Sequence, residues 1–135
     1  MIYKKRHDSF INQLMVEGNK WKSEVILLKT AKKIQKIQKN QINFVLKFAI
    51  INSSPYFHMK QLQRKKKSKI EFPFLLNNSA RISYSTKNIS NNKKGNGLAF
   101  DLIDSANNQG VSVNLKKKIH KESFLKKKIA SYRWF

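Results

Sequence analysis

The first part of the chain carries apolar residues at intervals of three and four, the spacing of helices that bury one face. A short helix is predicted to begin at a cap formed by Asp8 or Ser9 and to end at Gly18. A longer helix follows over residues 20–38, and a third runs from residue 40 to a break at Pro55. The residues predicted to face the core are Phe10, Ile11, Leu14 and Met15 in the first helix and Trp21, Val25, Leu28, Ala31 and Ile34 in the second. The third helix includes Phe44, Val45, Phe48, Ala49 and Ile51; it is apolar over most of its circumference and is therefore expected in the middle of the bundle.

The period changes to two after Pro55, which predicts two short strands. Apolar residues alternate with polar ones on both sides of a basic run, at Phe57 and Met59 before it and at Ile70, Phe72 and Phe74 after it. We therefore expect a β-hairpin arm over about residues 56–76. Pro73 has no amide proton to donate, so it restricts the second strand to a sheet edge or a strand end.

The rest of the chain returns to helical spacing and predicts three more helices. The fourth is capped within Asn77-Asn78-Ser79 and runs from Ala80 to about Asn88, the fifth stops before Gly110, and the sixth begins near Val113. The apolar residues assigned to the last two are Leu98, Ala99, Leu102, Ile103 and Ala106, then Leu115, Ile119, Ile129 and Ala130. The whole pattern predicts a mostly α fold: a six-helix, bundle-like single domain over residues 1–135, with the hairpin arm between helices three and four.

The charge balance points to a polyanionic partner. The chain has 29 basic and 7 acidic residues, a formal net charge of +22, and such a chain repels itself unless it meets opposite charge. Of the basic residues 25 are lysine, and the bias towards Lys, Asn and Ile is typical of an AT-rich genome. That bias explains part of the excess but not the scarcity of acids. Because basic clusters lie in three separate places, at residues 65–69, 116–121 and 126–128, the pattern favours nucleic-acid contact over a merely solvated surface.

The sequence offers little for catalysis or metal binding. There is no cysteine, and the three histidines lie far apart without ligand spacing, so neither a metal site nor a cofactor is predicted. Asp101 and Asp104 share a helix face, but on so basic a chain we expect them to pair with lysines. The longest apolar stretch, residues 42–51, is too short to span a membrane. We therefore expect no enzyme, no small-molecule substrate and no membrane partner.

Several motifs, taken in order, carry a family resemblance. They are Phe10-Ile11 with Gly18 and Lys20; Phe48-Ala49-Ile50, Asn52 and Pro55; Leu98-Ala99, Asp101-Leu102 and Asp104; and Gly110, Lys116-Lys117, His120-Lys121 and Tyr132-Arg133-Trp134. In this order they resemble the family of small-subunit ribosomal protein seven, of the bacterial and organellar type. Lys66 and Lys67 depart from the family by replacing two glycines of its arm. Lys126 to Lys128 depart from it too, and we attribute them to the compositional bias.

The resemblance implies a structural protein that binds small-subunit ribosomal RNA, nucleates assembly of the subunit head and lies beside neighbouring small-subunit proteins. Carried over to this sequence, it implies that the ribosomal-RNA contacts are Lys20, Arg64, Arg81, Lys87, Lys116, Lys117, Lys121, Tyr132 and Arg133. It also places the arm near messenger RNA and exit-site transfer RNA, with the cations Lys65, Lys66, Lys67 and Lys69. The alternative from another class is a free-standing basic DNA- or RNA-binding module.

The compositional bias also bears on location. The frequent Lys, Asn and Ile residues, together with the bacterial-type pattern, favour an organellar ribosome. We expect the mitochondrion, with the plastid as the alternative.

Overall fold

The computed structural model describes residues 2–38, 42–62, 70–91 and 97–134, with side chains described from residue 7 to residue 130 within those ranges. These residues form helices α1 Ile2–Leu14, α2 Lys20–Gln38, α3 Ile42–Ser53, α4 Asn78–Ser90, α5 Gly97–Ala106 and α6 Gly110–Leu125, strands β1 Phe57–Leu62 and β2 Ile70–Leu75, and a 3₁₀ helix Lys127–Trp134. The two strands pair as an antiparallel hairpin between α3 and α4. The predicted fold class is confirmed. The domain range 1–135 stays a prediction.

One hydrophobic cluster gathers side chains from the first five helices. Its members include Phe10 of α1, Ile34 of α2, Ala49 of α3, Ile89 of α4 and Leu102 of α5, all fully buried. Because α1 to α5 each contribute to this cluster, their relative positions depend on one another. The predicted inward face of α5 is confirmed, since Leu98, Ala99, Leu102 and Ile103 are buried and Ala106 packs against them.

The predicted inward face of α2 is largely wrong. In α2 the buried residues are Ser23, Leu27, Thr30 and Ile34, whereas Trp21 is 70% exposed. The hydroxyls of Ser23 and Thr30 donate to the carbonyls of Lys20 and Ile26, at 2.7 and 2.8 Å, so these polar residues are satisfied inside the core. In α3 the buried face is Val45, Leu46, Ala49, Ile50 and Ser53, and Phe44, Phe48 and Ile51 point outward.

The boundaries of helices α1 and α6 also differ from the prediction. Helix α1 begins at Ile2, so neither Asp8 nor Ser9 caps it; the Ser9 hydroxyl instead lies 3.3 Å from the Thr86 hydroxyl of α4. Helix α6 begins at Gly110 and ends at Leu125, so Ile129 and Ala130 belong to the 3₁₀ helix that follows. No breaker lies between residues 2 and 8 or between residues 110 and 113, so each helix extends beyond the residue predicted to start it.

Helix α4 begins as predicted but packs through hydroxyl groups. The Asn77 side chain accepts a hydrogen bond from the Ala80 amide at 2.8 Å, which confirms the cap. The buried residues of α4 are Ser85, Thr86, Ile89 and Ser90. The hydroxyls of Ser85 and Ser53 lie 2.6 Å apart where α4 meets α3. Small side chains allow this close approach, and their mutual hydrogen bonds offset the cost of burying them.

The hairpin lies against the C-terminal part of the chain. Phe57 pairs with Leu75 and Leu62 with Ile70, so Pro73 lies inside β2 opposite Met59. A two-stranded sheet has only edge strands, which is why proline is tolerated there. Lys126 forms an ion pair and a hydrogen bond with Glu71 of β2. Whatever the compositional origin of Lys126, this lysine ties the end of α6 to the hairpin.

Two glycines with positive φ provide a matched test of backbone strain. Gly18 has φ +74° and open space where a methyl group would lie, whereas a Cβ at Gly110 (φ +87°) would lie 3.0 Å from the Asp104 Cβ. We expect Gly18→Ala to lower the free energy of unfolding by about 1–2 kcal/mol through backbone strain alone. Gly110→Ala adds crowding and is expected to lower it by about 2–4 kcal/mol. Urea denaturation of both variants measures the difference, and equal losses would contradict the crowding argument.

Candidate nucleic-acid interface

Basic residues from two helices gather where α3 gives way to the hairpin. Arg81 from the first turns of α4 and Lys116 and His120 from α6 converge around Tyr56, the residue that precedes β1. We call these four residues the basic junction. The hairpin leaves the helical body at this point, so the junction links the body to the arm.

Arg81 is held by three contacts within the junction. Its guanidinium carbon lies 3.9 Å from the centre of the Tyr56 ring. Its terminal nitrogens donate to the Asn78 side-chain oxygen and to the Ser54 hydroxyl, each at 3.4 Å. Both acceptors are neutral, so these contacts orient the planar cation without cancelling its charge. The Nε of Arg81 is buried, so a phosphate would be met by the terminal nitrogens of this fixed guanidinium.

Lys116 is a partly buried cation. Its ammonium group donates to the Asn52 carbonyl at 2.9 Å, at the end of α3. Burial lowers the pKa of Lys116 below its usual range; Tyr56 opposes that shift, while nearby Arg81 adds to it. Burial therefore penalises the charged form of Lys116. An anion bound at the junction would stabilise the ammonium by supplying the opposite charge.

His120 positions the start of the hairpin. Its Nε2 accepts a hydrogen bond from the Tyr56 amide at 3.1 Å, and its ring lies within 6 Å of the rings of Tyr56 and Phe57, at 5.8 and 5.9 Å. Burial lowers the pKa of His120, and the cations Lys116 and Arg81 lower it further. The hydrogen bond from the Tyr56 amide needs an unprotonated Nε2, and the lowered pKa of His120 agrees with a neutral imidazole.

The lowered pKa of His120 predicts a pH dependence of stability. The unfolded histidine takes up a proton at a higher pH than the folded one, so acidification below the ordinary value of 6.5 favours the unfolded chain. We expect the urea midpoint to fall as the pH drops through this window, and His120→Asn to make that fall shallower. The comparison variant is His58→Asn, because burial and the nearby Lys60 also lower the pKa of His58.

The outcome for His120 is separable from acid effects on carboxylates. The hydrogen bond from Lys126 lowers the pKa of Glu71 below 4.5, so its contribution is lost only at more acidic pH. If the urea midpoint of His120→Asn falls with pH as steeply as that of the unaltered protein, neutral His120 does not hold the hairpin.

The other predicted site residues are distributed unevenly. Lys117 and Lys121 lie on α6 next to the junction residues and are exposed. Lys20, at the start of α2, is exposed, and its Nζ lies 3.8 Å from the Glu24 Oε1. Lys87 is exposed in the last turn of α4. Arg64 and the arm cations Lys65, Lys66, Lys67 and Lys69 lie outside the described residues. Tyr132 and Arg133 belong to the 3₁₀ helix, but their side chains are outside the description.

Three residues of this region were not predicted to have a role in it. Tyr56 stacks under Arg81, His120 holds the Tyr56 amide, and Asn52 accepts the Lys116 ammonium. Asn52 and His120 belong to the motifs that carry the family resemblance. The motifs mark both positions but indicate no role for either residue. No periodicity or charge pattern marks Tyr56.

None of the helices in the described part of the chain is long and apolar enough to cross a membrane.

The fold and the basic junction define a small helical protein with the charge distribution typical of nucleic-acid binding. A comparison with protein families is more specific: residues 2–124 match the model of the family described as ribosomal protein S7p/S5e. Because the match covers most of the sequence, the chain belongs to this family. It is a ribosomal protein with a structural role in translation and not an enzyme. The predicted family is confirmed.

Individual relatives agree with the family match. The small ribosomal subunit protein uS7 of Desulfitobacterium hafniense is 32% identical, over 98% of this chain and 90% of that protein. The small ribosomal subunit protein uS7c of Euglena gracilis is 28% identical, over 92% of this chain and 83% of that protein. The uS7 protein of Koribacter versatilis is 26% identical, over 94% and 85% respectively. These relatives support the bacterial and organellar type and do not bear on a mitochondrial origin.

Proposed function

We propose that this protein binds the RNA of the small ribosomal subunit through the basic junction and the lysines beside it on α6. The observation that carries the proposal is the pairing of Arg81 with Lys116, two cations whose hydrogen bonds here go to neutral oxygens. Burial lowers the pKa of Lys116, so its charged form is less favoured in the free protein than in water. A phosphate between the two cations supplies the missing counter-charge, and exposed Lys117 and Lys121 extend the contact along the helix.

The wider set of proposed ribosomal-RNA contacts follows the family resemblance. It comprises Lys20, Arg64, Arg81, Lys87, Lys116, Lys117, Lys121, Tyr132 and Arg133. Lysines contribute charge without reading sequence, whereas the arginines can bind phosphate or base edges with two donors. In the assembled subunit this binding nucleates the head, and neighbouring small-subunit proteins cover part of the remaining surface.

The hairpin arm has a separate proposed role near messenger RNA and exit-site transfer RNA. Each strand has six residues, which corresponds to a reach of about 20 Å beyond the junction. The lysines of the arm, Lys65, Lys66, Lys67 and Lys69, lie outside the described residues, and we propose that they contact this nucleic acid. Glu71 and Lys126 anchor the base of the arm to the end of α6.

The proposed location is an organellar ribosome, mitochondrial in preference to plastid. The support is compositional: 25 lysines against 4 arginines, with frequent Asn and Ile, fits an AT-rich organellar genome. Isolation of the protein with the small subunit of purified mitochondria tests this point independently of RNA binding.

The test of the proposed function is the salt dependence of binding to small-subunit ribosomal RNA. Replacing Lys116, Lys117 and Lys121 together by alanine is expected to lower the slope of log affinity against log salt by roughly one unit for each phosphate that is no longer neutralised. The matched control replaces Lys22, Lys29 and Lys32, three exposed lysines of α2, and is expected to leave the slope close to that of the unaltered protein.

Two outcomes would contradict the proposal. Equal slopes for the two triple variants would show that the α6 lysines are only solvated surface. Absence of the native protein from small ribosomal subunits sedimented at moderate salt would favour the alternative, a free-standing basic DNA- or RNA-binding module.

A further inference from the structure

An apolar groove with a volume of about 400 Å³ lies beside the basic junction. It is lined by Phe57, Pro73 and Leu75 of the hairpin and by Phe124 at the end of α6. Lys127 and Ala130 of the 3₁₀ helix line it as well. Two aromatic side chains from separate elements thus line a single open groove.

The apolar side chains that line the groove remain exposed to solvent. Phe124 is 76% exposed, Leu75 55% and Phe57 37%. A phenylalanine that is three-quarters exposed contributes little to the hydrophobic core, since stabilisation follows the area removed from water. These side chains are available to a ligand.

The groove is continuous with the basic junction. His120 lines the groove and also accepts the Tyr56 amide inside the junction. Lys121 lies one helical turn from Phe124 and is exposed, and Lys127 lines the groove itself. Among the described residues that line the groove none is acidic. A ligand that fits both regions therefore has a flat apolar part joined to an anion.

We propose that the groove takes an unpaired base of the ribosomal RNA, whose phosphate lies on Arg81 and Lys116, with Phe57 and Phe124 contacting the base. This proposal rests on the proposed function, because it assigns one nucleotide of the RNA bound at the junction. RNA recognition commonly uses unstacked bases placed on aromatic side chains, and such stacking tolerates any base. A segment of a neighbouring protein could fill an apolar groove but would bring no obligatory charge to the cations, whereas a nucleotide brings base and phosphate together.

The test compares two probes that carry the same phosphates: a short oligoadenylate and an abasic oligonucleotide of equal length and backbone. With the full-length protein, Phe124→Ala is expected to weaken oligoadenylate binding by roughly tenfold. It is expected to leave abasic binding and the salt slope unchanged, because no charge is removed. Phe100→Ala, at a phenylalanine of α5 that is 53% exposed and outside the groove, is the matched control and should change neither. Photo-crosslinking with 5-bromouridine RNA should label the peptides that contain Phe57 or Phe124.

The outcomes separate this proposal from the proposed function. If Phe124→Ala weakens both probes equally, or neither, the base-binding groove is overturned while junction binding stands as long as the lysine variants lower the salt slope. If Phe124→Ala spares RNA binding but expels a neighbouring protein from reconstituted subunits, the groove binds protein and the proposal fails. If the unaltered protein binds no RNA, both proposals fail.

Discussion

Replacing Arg81 by glutamine is expected to weaken binding to small-subunit ribosomal RNA by about ten- to hundredfold, the usual loss of a hydrogen bond to a charged group. The guanidinium lies over Tyr56 and donates to Asn78 and Ser54, so it is positioned before RNA arrives and little ordering is needed on binding. Glutamine has a shorter side chain that keeps an amide donor but removes the charge. The salt slope should fall together with the affinity.

The variant Arg81→Lys separates charge from geometry. Lysine retains the charge and is expected to keep the salt slope, but it cannot stack flat on Tyr56 and donate to two acceptors at once. Its affinity should therefore lie between those of the unaltered protein and Arg81→Gln. Lys32→Gln, at an exposed position of α2, is the control for a removed charge outside the junction. Indistinguishable affinities of the two glutamine variants would contradict a special role for Arg81.

Much of the helical framework follows from local signals in the sequence. The bounds of α2, residues 20–38, agree with the structure because Gly18 has the positive φ that ends the preceding turn. The Asn77 cap and the inward face of α5 agree for similar reasons, since each depends on residues within one or two helical turns. Strand positions were also predictable, because alternation is visible within five or six residues.

The core contacts of the helices were less predictable. Hydrophobic periodicity in α2 favours Trp21 and Leu28, yet the buried stripe contains Ser23 and Thr30. These hydroxyls bond to carbonyls of their own helix, so they bury at low cost, and small size lets neighbouring helices approach. In helix α4 the Thr86 hydroxyl likewise donates within its own helix, whereas the Ser85 hydroxyl bonds across to α3. A rule that counts only apolar residues misses such faces.

The candidate site was predictable in its charges and not in its architecture. Arg81 and Lys116 were identified from the scarcity of arginine, the lysine clusters and the family resemblance. The contacts that shape the site join distant positions: the Tyr56 amide and His120 are 64 residues apart in the sequence, as are Lys116 and Asn52. No local pattern predicts such pairs, because they depend on how α6 packs against the end of α3.

Asn52→Asp is expected to be among the most destabilising single substitutions near the junction. The Asn52 side-chain amide donates to the carbonyls of Ser105 and Ala106, at 3.0 and 2.8 Å, and so satisfies the end of α5. Aspartate replaces both donors by a carboxylate that faces two carbonyls at the negative end of a helix dipole. We expect a loss of about 2–4 kcal/mol in the free energy of unfolding near neutral pH. Asn52→Leu, which removes the hydrogen bonds without adding charge, should lose about 1–3 kcal/mol.

The two variants should also differ in their response to acid. Protonation restores a donor to the carboxyl group of Asn52→Asp, so its deficit relative to the unaltered protein at the same pH should shrink on acidification, while that of Asn52→Leu should not. Urea denaturation of all three proteins at neutral and at acidic pH measures these deficits. Equal deficits for Asp and Leu near neutral pH would show that electrostatic repulsion at the end of α5 is unimportant. In that case the Asn52 side chain would stabilise the fold only through its two hydrogen bonds to α5. Its link to the junction would be the backbone carbonyl that accepts the Lys116 ammonium.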